Sequence, residues 1–216
     1  METSITNLKV CVRKALDDIA PGVLDTFSSD TDNEIEQAIL HASISLSQTV
    51  TIEHLNPSVK ELDTDGIDGN SNGYAILPYD YLRLVSFAAA HWEGSVSELI
   101  EPGSAAEKMQ RSPWTRGTAT KPKAMLDSVN VESTTTVNDT PTTVTETKRV
   151  IRYWPYTHDE KVTLHYVQMP ILRGSSLLCD LRDSVGKNVI YLACRIFLEG
   201  KKENVSADAF AKLSEI

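Results

Sequence analysis

The run Asp63-Thr-Asp-Gly-Ile-Asp-Gly-Asn-Ser-Asn-Gly73 gathers hard oxygen donors of the kind that hold a cation. Asp68, Asn70, Asn72 and Gly73 stand at the first, third, fifth and sixth places of a calcium loop, where side-chain oxygens surround the ion and glycine permits the turn. The twelfth place, which needs a bidentate glutamate, is Tyr79, and no helical pattern follows. Glycine, asparagine and aspartate are also what a tight connection between a helix and a strand uses, and the turn is the favoured reading. No metal or cofactor is expected, and Asp68, Asn70 and Asn72 are the weak candidate for one.

Other chemistry finds little support. His41, His54, His91, His158 and His165 are scattered without ligand spacing, and no cysteine or carboxylate completes a zinc set. There is no G-x-S-x-G elbow, no phosphate-binding glycine loop and no dinucleotide fingerprint. A catalytic set would have to assemble from distant residues, so an enzyme is not expected. Trp92, Trp114 and Trp154 lie among Arg83, Arg111, Arg116 and Arg152. Aromatic and arginine side chains anchor protein interfaces through large desolvated area and planar donors. Filling a small core is the competing use of the tryptophans. It is the better one for Trp154, while Trp92 and Trp114, next to Gly94, Pro113 and Gly117, are open to both.

The elements that would position these residues fall into two textures. Ile5, Leu8, Val12, Leu16 and Ile19 repeat at helical spacing from Ser4 to Ala20, and Pro21-Gly22 ends that helix. Thr31 with Glu34 forms a capping-box pattern, followed by Ile35, Ile39, Ala42, Leu46 and Val50 on one stripe. A long C-terminal helix is predicted from Ser176 to Gly200, with Leu178, Leu181, Val185, Val189, Leu192 and Ile196 in register and Asp180 suited to its positive end. Between them, Tyr74 to Pro170 is rich in valine, tyrosine and threonine, punctuated by proline and glycine. Predicted strands are Tyr74–Leu77, Leu82–Ala88, Val96–Ile100, Ala124–Val131, Val150–Trp154 and Val162–Val167, the last two as a hairpin turning at Pro155–Glu160. A short helix is predicted from Pro102 to Gln110.

The fold class read from this is α+β, a small helical bundle of two N-terminal helices plus the long C-terminal one, with an inserted antiparallel β-rich subdomain. Residues 1–60 form the N-terminal part of the bundle, 61–73 a linker, 74–170 the insertion and 171–216 the returning helix with a short tail carrying Phe210 and Leu213. Within the insertion, residues 133–147 are almost all threonine and small polar residues, which suits a hairpin arm or a loop without fixed structure.

Composition narrows the partners. The 216 residues are 41% hydrophobic and 24% charged, enough for one good core plus an insertion. Net charge is −9, which disfavours a grip on nucleic-acid phosphates and suits a wall past which DNA slides. No run approaches the roughly 20 apolar residues of a membrane helix, and no leader pattern opens the chain, so it is expected to stay where it is made. On the predicted helix Cys179 and Cys194 would lie about 22 Å apart, so with Cys11 they read as reduced thiols.

Ala75-Ile-Leu-Pro-Tyr-Asp-Tyr-Leu-Arg-Leu-Val-Ser-Phe87 resembles the L-P-x-D-[FY]-L-R-L segment of the head-to-tail adaptor (connector or ring) proteins of short-tailed bacteriophages, including crAss-like phages. Trp92-Glu93, Val96–Ile100 and Lys108–Ser112 are in keeping with that family, as is the order of helices, β insertion and returning helix. The resemblance covers most of the chain as an arrangement and about Ala75 to Gly117 as sequence. It implies a structural virion protein, assembled in the host cytoplasm, that docks on the portal with its C-terminal part. It further implies a ring, twelve-fold by analogy, that extends the DNA channel without gripping DNA and offers a platform to tail and ring proteins. The residues that would serve such contacts are Arg83, Trp92, Arg111, Trp114, Arg116, Phe210 and Leu213. Two other classes stay open: a cytoplasmic protein-binding module, in one version calcium-dependent through Asp68, Asn70 and Asn72, and a small hydrolase of unrecognised type.

Overall fold

A computed structural model describes residues 2–19, 31–66, 72–137, 140–158, 160–201 and 211. In chain order the elements are β1 (Glu2–Ser4), α1 (Ile5–Ile19), α2 (Thr31–Thr49), β2 (Ser58–Gly66), β3 (Gly73–Ile76), β4 (Tyr81–Ala89), α3 (Ala105–Met109), β5 (Lys123–Val137), β6 (Thr140–Trp154), β7 (Lys161–Gln168), β8 (Ile171–Arg173), β9 (Ser176–Leu178) and α4 (Gly186–Gly200). The class is mixed α+β, with helices and an antiparallel sheet of six strands. The chain divides into two compact units, Met1–Ser58 with Val167–Ile216, and Val59–Tyr166.

In the first unit the apolar stripes do what their spacing requires. Ile5, Leu8, Val12 and Leu16 of α1 are buried, as are Ile35, Ile39, Ala42 and Leu46 of α2 and Val50 beyond it. Outside that core, Lys9–Glu36 and Arg13–Asp32 pair across the two helices. The Arg13 guanidinium hydrogen-bonds Asp32 and holds its carboxyl below the usual carboxylate range.

The single helix expected from Ser176 is corrected by the structure, which starts α4 at Gly186. Gly174, at φ +61°, turns the chain between β8 and β9, and β9 pairs with β1 from Glu2↔Leu178 to Ser4↔Ser176. In this extended stretch the apolar Leu177, Cys179 and Leu181 are buried at every second position, a period of two hidden beneath the period of 3.6, and Asp180 between the last two is covered as well. Two strand partners satisfy backbone groups there, and the helix takes over only where they end. Within α4 the buried face is Val189, Ala193, Cys194, Phe197 and Leu198, leaving Leu192 and Ile196 half-covered.

The second unit is built on the six strands in the order β4-β7-β2-β3-β6-β5. Its core holds Phe87, Ile151, Tyr153, Val162 and Leu164 at no measurable exposure, each worth about 1.5–3 kcal/mol by area removed from water. The two edge strands are tied by one segment: Val96 exchanges 2.8 Å hydrogen bonds with Phe87 of β4, and the Ile100 N–H donates to Ala124 O of β5. The strand expected at Val96–Ile100 is thus a pair of bridges.

Two further expectations are corrected. Residues 61–66, placed in a linker, belong to β2, which pairs Thr64↔Ala75 to Gly66↔Gly73 with β3. Only Leu62 of that strand is a buried hydrophobe, so it carries almost no strand pattern. β6 and β7 do not form a hairpin, because β2 and β3 lie between them. The connection is instead organised by Glu160, whose carboxylate accepts the Thr157 N–H at 3.0 Å and the Tyr153 hydroxyl at 3.2 Å. Of the two readings of the threonine-rich stretch, the structure shows the hairpin arm: β5 and β6 pair through it as far as Val137↔Thr140. β-branched threonine favours that extended backbone.

Candidate functional site

The loop that follows α3 is built to hold one side chain in solvent. Gly103 takes φ +81°, and Ser104 caps the helix by accepting the Glu107 N–H at 3.3 Å while Glu107 accepts the Gly103 N–H at 2.6 Å. Gln110, 7% exposed, braces the loop from within: its Nε2 donates to Ala106 O and its Oε1 accepts the Gly117 N–H at 2.8 Å. Thr115 Oγ1 donates to Met109 O at 2.6 Å, and Trp114 N–H reaches Ser112 Oγ at 3.4 Å. At Gly117 a Cβ would lie 2.8 Å from Trp154 O, so no other residue fits there. The product is Trp114 at 94% exposure beside Met109 at 55%.

The anchors expected from sequence therefore separate. Trp114 and Arg111 stand exposed on this loop, Arg111 within 3.9 Å of Glu107, and Arg116 is half-buried at its end. Arg83 is half-buried on β4. Trp92 is in the core: its Nε1 donates to Pro155 O, and its ring meets Phe87 and Tyr153 edge-on at 5.7 and 5.6 Å. Trp154 is buried as well. Phe210 and Leu213 lie outside the described residues, as do Asp68 and Asn70. Asn72 is half-buried, and its buried Oδ1 has no hydrogen-bond partner among the described residues. Among those residues no group of three or more His, Cys, Asp or Glu could hold a metal.

The segment that carries the family likeness makes a turn. Leu77 is buried, the Tyr81 N–H donates to Pro78 O, Asp80 accepts the Tyr166 hydroxyl at 3.2 Å, and Tyr81 stacks on Tyr166 at 6.0 Å. Tyr79 at the apex is 93% exposed.

Sequence reasoning missed a cluster around Glu160, whose side chain is 6% exposed. His91 Nδ1 lies 2.5 Å from Oε2, and Tyr153 and Thr157 hold Oε1. Burial raises the Tyr153 phenol well above its ordinary range, so it remains a donor. A histidine, a carboxylate and a phenol in contact can pass a proton. Here they sit under the β6–β7 connection, and they clamp it. His91 and Glu160 stand 69 positions apart, so no local motif announces them.

Two of the three thiols are buried. Burial raises Cys179 and pushes Cys194 to about 12, and Cys194 Sγ faces Val12 O at 3.7 Å. Cys11 is exposed. Native protein at neutral pH should therefore titrate one thiol with a disulfide reagent, and denaturant should release the other two. Loss of the native signal in Cys11→Ser checks the assignment; two fast thiols would contradict it.

No protein-family model matches this chain, and no curated protein sequence matches it.

Proposed function

We propose that this protein is a structural subunit of a closed assembly, a head-to-tail adaptor of a tailed bacteriophage that docks on the portal and extends the DNA channel. The observation that carries the assembly part is the β5–β6 ribbon. β3 covers β6 only from Val150 to Tyr153, yet β5 and β6 go on pairing from Ser128↔Arg149 to Val137↔Thr140. Those ten pairs extend roughly 33 Å at strand rise. A two-stranded ribbon is marginal in water by itself, and with threonine-rich strands it has little apolar area of its own to bury. It gains a third partner by lying on a neighbour. The likeness of Ala75–Phe87 to the adaptor family supports the portal as the anchor of that assembly.

The test replaces residues 132–145 by Asn-Gly, a two-residue turn that closes the ribbon at Val131↔Glu146. Expected is a melting temperature within a few degrees of the parent but loss of the ring that the full chain forms with its portal, read by native mass spectrometry and electron microscopy. A full chain that stays monomeric at tens of micromolar with portal present defeats the proposal.

A further inference from the structure

The pairing of the β5–β6 ribbon fixes which backbone groups it turns outward. Partners run without a bulge from Lys123↔Trp154 to Val137↔Thr140, so the alternation of an antiparallel pair carries through to the tip. At every second residue the N–H and C=O point at the partner strand, and at the next they point away. Two hydrogen bonds set the phase: Arg149 O accepts the Leu77 N–H on the β3 side of β6, and Ala124 O accepts the Ile100 N–H on the far side of β5. Odd-numbered residues of β6 and even-numbered residues of β5 therefore face outward. Pro141, with no N–H to give, falls in the outward phase.

Both edges are open beyond the sheet. β5 is the outermost strand, and β3 leaves β6 after Val150. At the base of the β5 edge the Asp127 carboxylate takes the Ser128 N–H at 2.8 Å. From Val129 to Val137 the edge has no proline, glycine, lysine or bulge, the usual devices that blunt one, and among the described residues no segment but β6 pairs with it. The outward groups are those of Asn130, Glu132, Thr134 and Thr136 on β5, and of Thr147, Thr145, Thr143 and the Pro141 carbonyl on β6.

We propose that the β5 edge of one copy pairs with the β6 edge of the next, so that the ribbons of the ring join into one antiparallel sheet. The inference rests on the ring reading above and names the contact between its subunits. An open strand edge specifies its ligand as an extended backbone. Two features of the ribbon make that backbone a second copy. β5 and β6 run in opposite directions, so ribbons standing side by side and pointing the same way set β5 antiparallel to the next β6. Residues paired within a ribbon also stand at one height, so copies related by a rotation bring Glu132 against Thr145 and Thr134 against Thr143, outward group to outward group. A stagger of two residues, of the kind closed sheets carry, keeps that phase. One rotation satisfies both edges of every copy, and closure leaves no edge behind. The ribbon offers far fewer residues than the roughly 20–30 a side of a standard interface, so the contact holds in a ring gathered on the portal and not in a free pair.

Proline at an outward position removes one N–H from the edge and leaves the pairing within the ribbon, as Pro141 already does. Thr134→Pro on β5 and Thr145→Pro on β6 should melt like the parent, yet each should raise the concentration needed for the portal-bound ring about tenfold, followed by native mass spectrometry. Combined in one chain they should cost less than their sum, because both act on one contact. Thr134→Val keeps the N–H and should assemble like the parent. Hydrogen exchange resolved to single residues gives the direct readout. In the free chain the amides of Val129, Val131 and Ser133 should exchange more slowly than those of Asn130, Glu132 and Thr134. Ring formation in the parent should slow this second set together with Thr143, Thr145 and Thr147.

A parent that forms no ring with portal defeats the ring reading itself. A parent that forms the ring while both proline variants form it equally leaves the ring standing and overturns the edge pairing. So does a ring in which the outward amides of the parent exchange as fast as in the free chain, whatever the variants do. A defective Thr134→Pro beside an unaffected Thr145→Pro, or exchange slowed on β5 alone, would give the β5 edge to a strand of the portal and overturn the pairing between copies. Losses that simply add in the double variant overturn it as well.

Discussion

Glu160→Ala should cost about 3 kcal/mol and lower the melting temperature by roughly 6–12 °C for a chain of this length. The carboxylate is almost fully covered and serves three donors from three places: His91 after β4, Tyr153 on β6 and the backbone of Thr157 in the connection. Thr157 is exposed and can turn to water, but Tyr153 has no exposure, and among the described residues its hydroxyl would keep only Thr64 as a hydrogen-bonding neighbour. His91 would lose the partner of its Nδ1, while its buried Nε2 already has none among the described residues. Glu160→Gln keeps one acceptor and brings an amide N–H₂ against the donors, so it should fall between. In a thermal melt the double substitution His91→Ala and Glu160→Ala should be less than additive, since the two remove one interaction. An alanine variant within about 1 kcal/mol of the parent would show that water already serves this carboxylate.

Local periodicity was readable where one face of one element decides the structure. α1 buries Ile5, Leu8, Val12 and Leu16 and α2 Ile35, Ile39, Ala42 and Leu46, as their 3.6 spacing names, and β3, β4 and β7 lie within a residue or two of the predicted strands. It failed where tertiary partners choose between two patterns that the same residues satisfy. Leu178, Leu181 and Val185 fit a helix, yet β1 and β8 supply strand partners and the chain stays extended through Leu178, reaching Leu181 as a bridge to Leu55. The neighbours of β6 were invisible for a related reason: a short connection from Pro155 to Glu160 fits a hairpin, and only the insertion of β2 and β3 excludes one. At the candidate interface, Pro113 and Gly117 marked a loop, which made Trp114 a sensible anchor. Nothing nearby showed that Trp92 would turn inward to donate to Pro155 O, 63 positions away. The Gln110 brace and the Glu160 clamp are equally silent, because a single buried polar residue has no period.

Asp180 offers the sharper test, because its two simplest replacements should move stability in different directions. Within the first unit its carboxylate accepts the Gln168 N–H at 2.7 Å and lies 3.4 and 3.5 Å from the Ser58 hydroxyl, while its own carbonyl accepts the Asn56 N–H at 2.7 Å. It therefore ties together the chain near Ser58 and near Gln168. Asp180→Ala removes the acceptor of the Gln168 N–H and of Ser58, at a cost of about 2–3 kcal/mol. Burial raises the Asp180 carboxyl above its ordinary value, despite the hydrogen bonds from Gln168 and Ser58 that oppose the shift. From about pH 4, the unfolded value, up to that raised folded value the folded state holds more protons than the unfolded one, so rising pH withdraws stability across this window. Asp180→Asn removes the buried charge and keeps an oxygen for the Gln168 N–H, at the cost of an N–H₂ set against the Ser58 N–H, which donates to the carboxylate in the parent. Relative to the parent, Asp180→Asn should thus gain stability as pH climbs through the window and hold that gain above it, while Asp180→Ala should be destabilised throughout. Urea titrations of parent and variants at a series of pH values from about 3.5 upward decide it. A difference between the parent and Asp180→Asn that stays flat with pH would mean that the carboxylate is not destabilised by its burial.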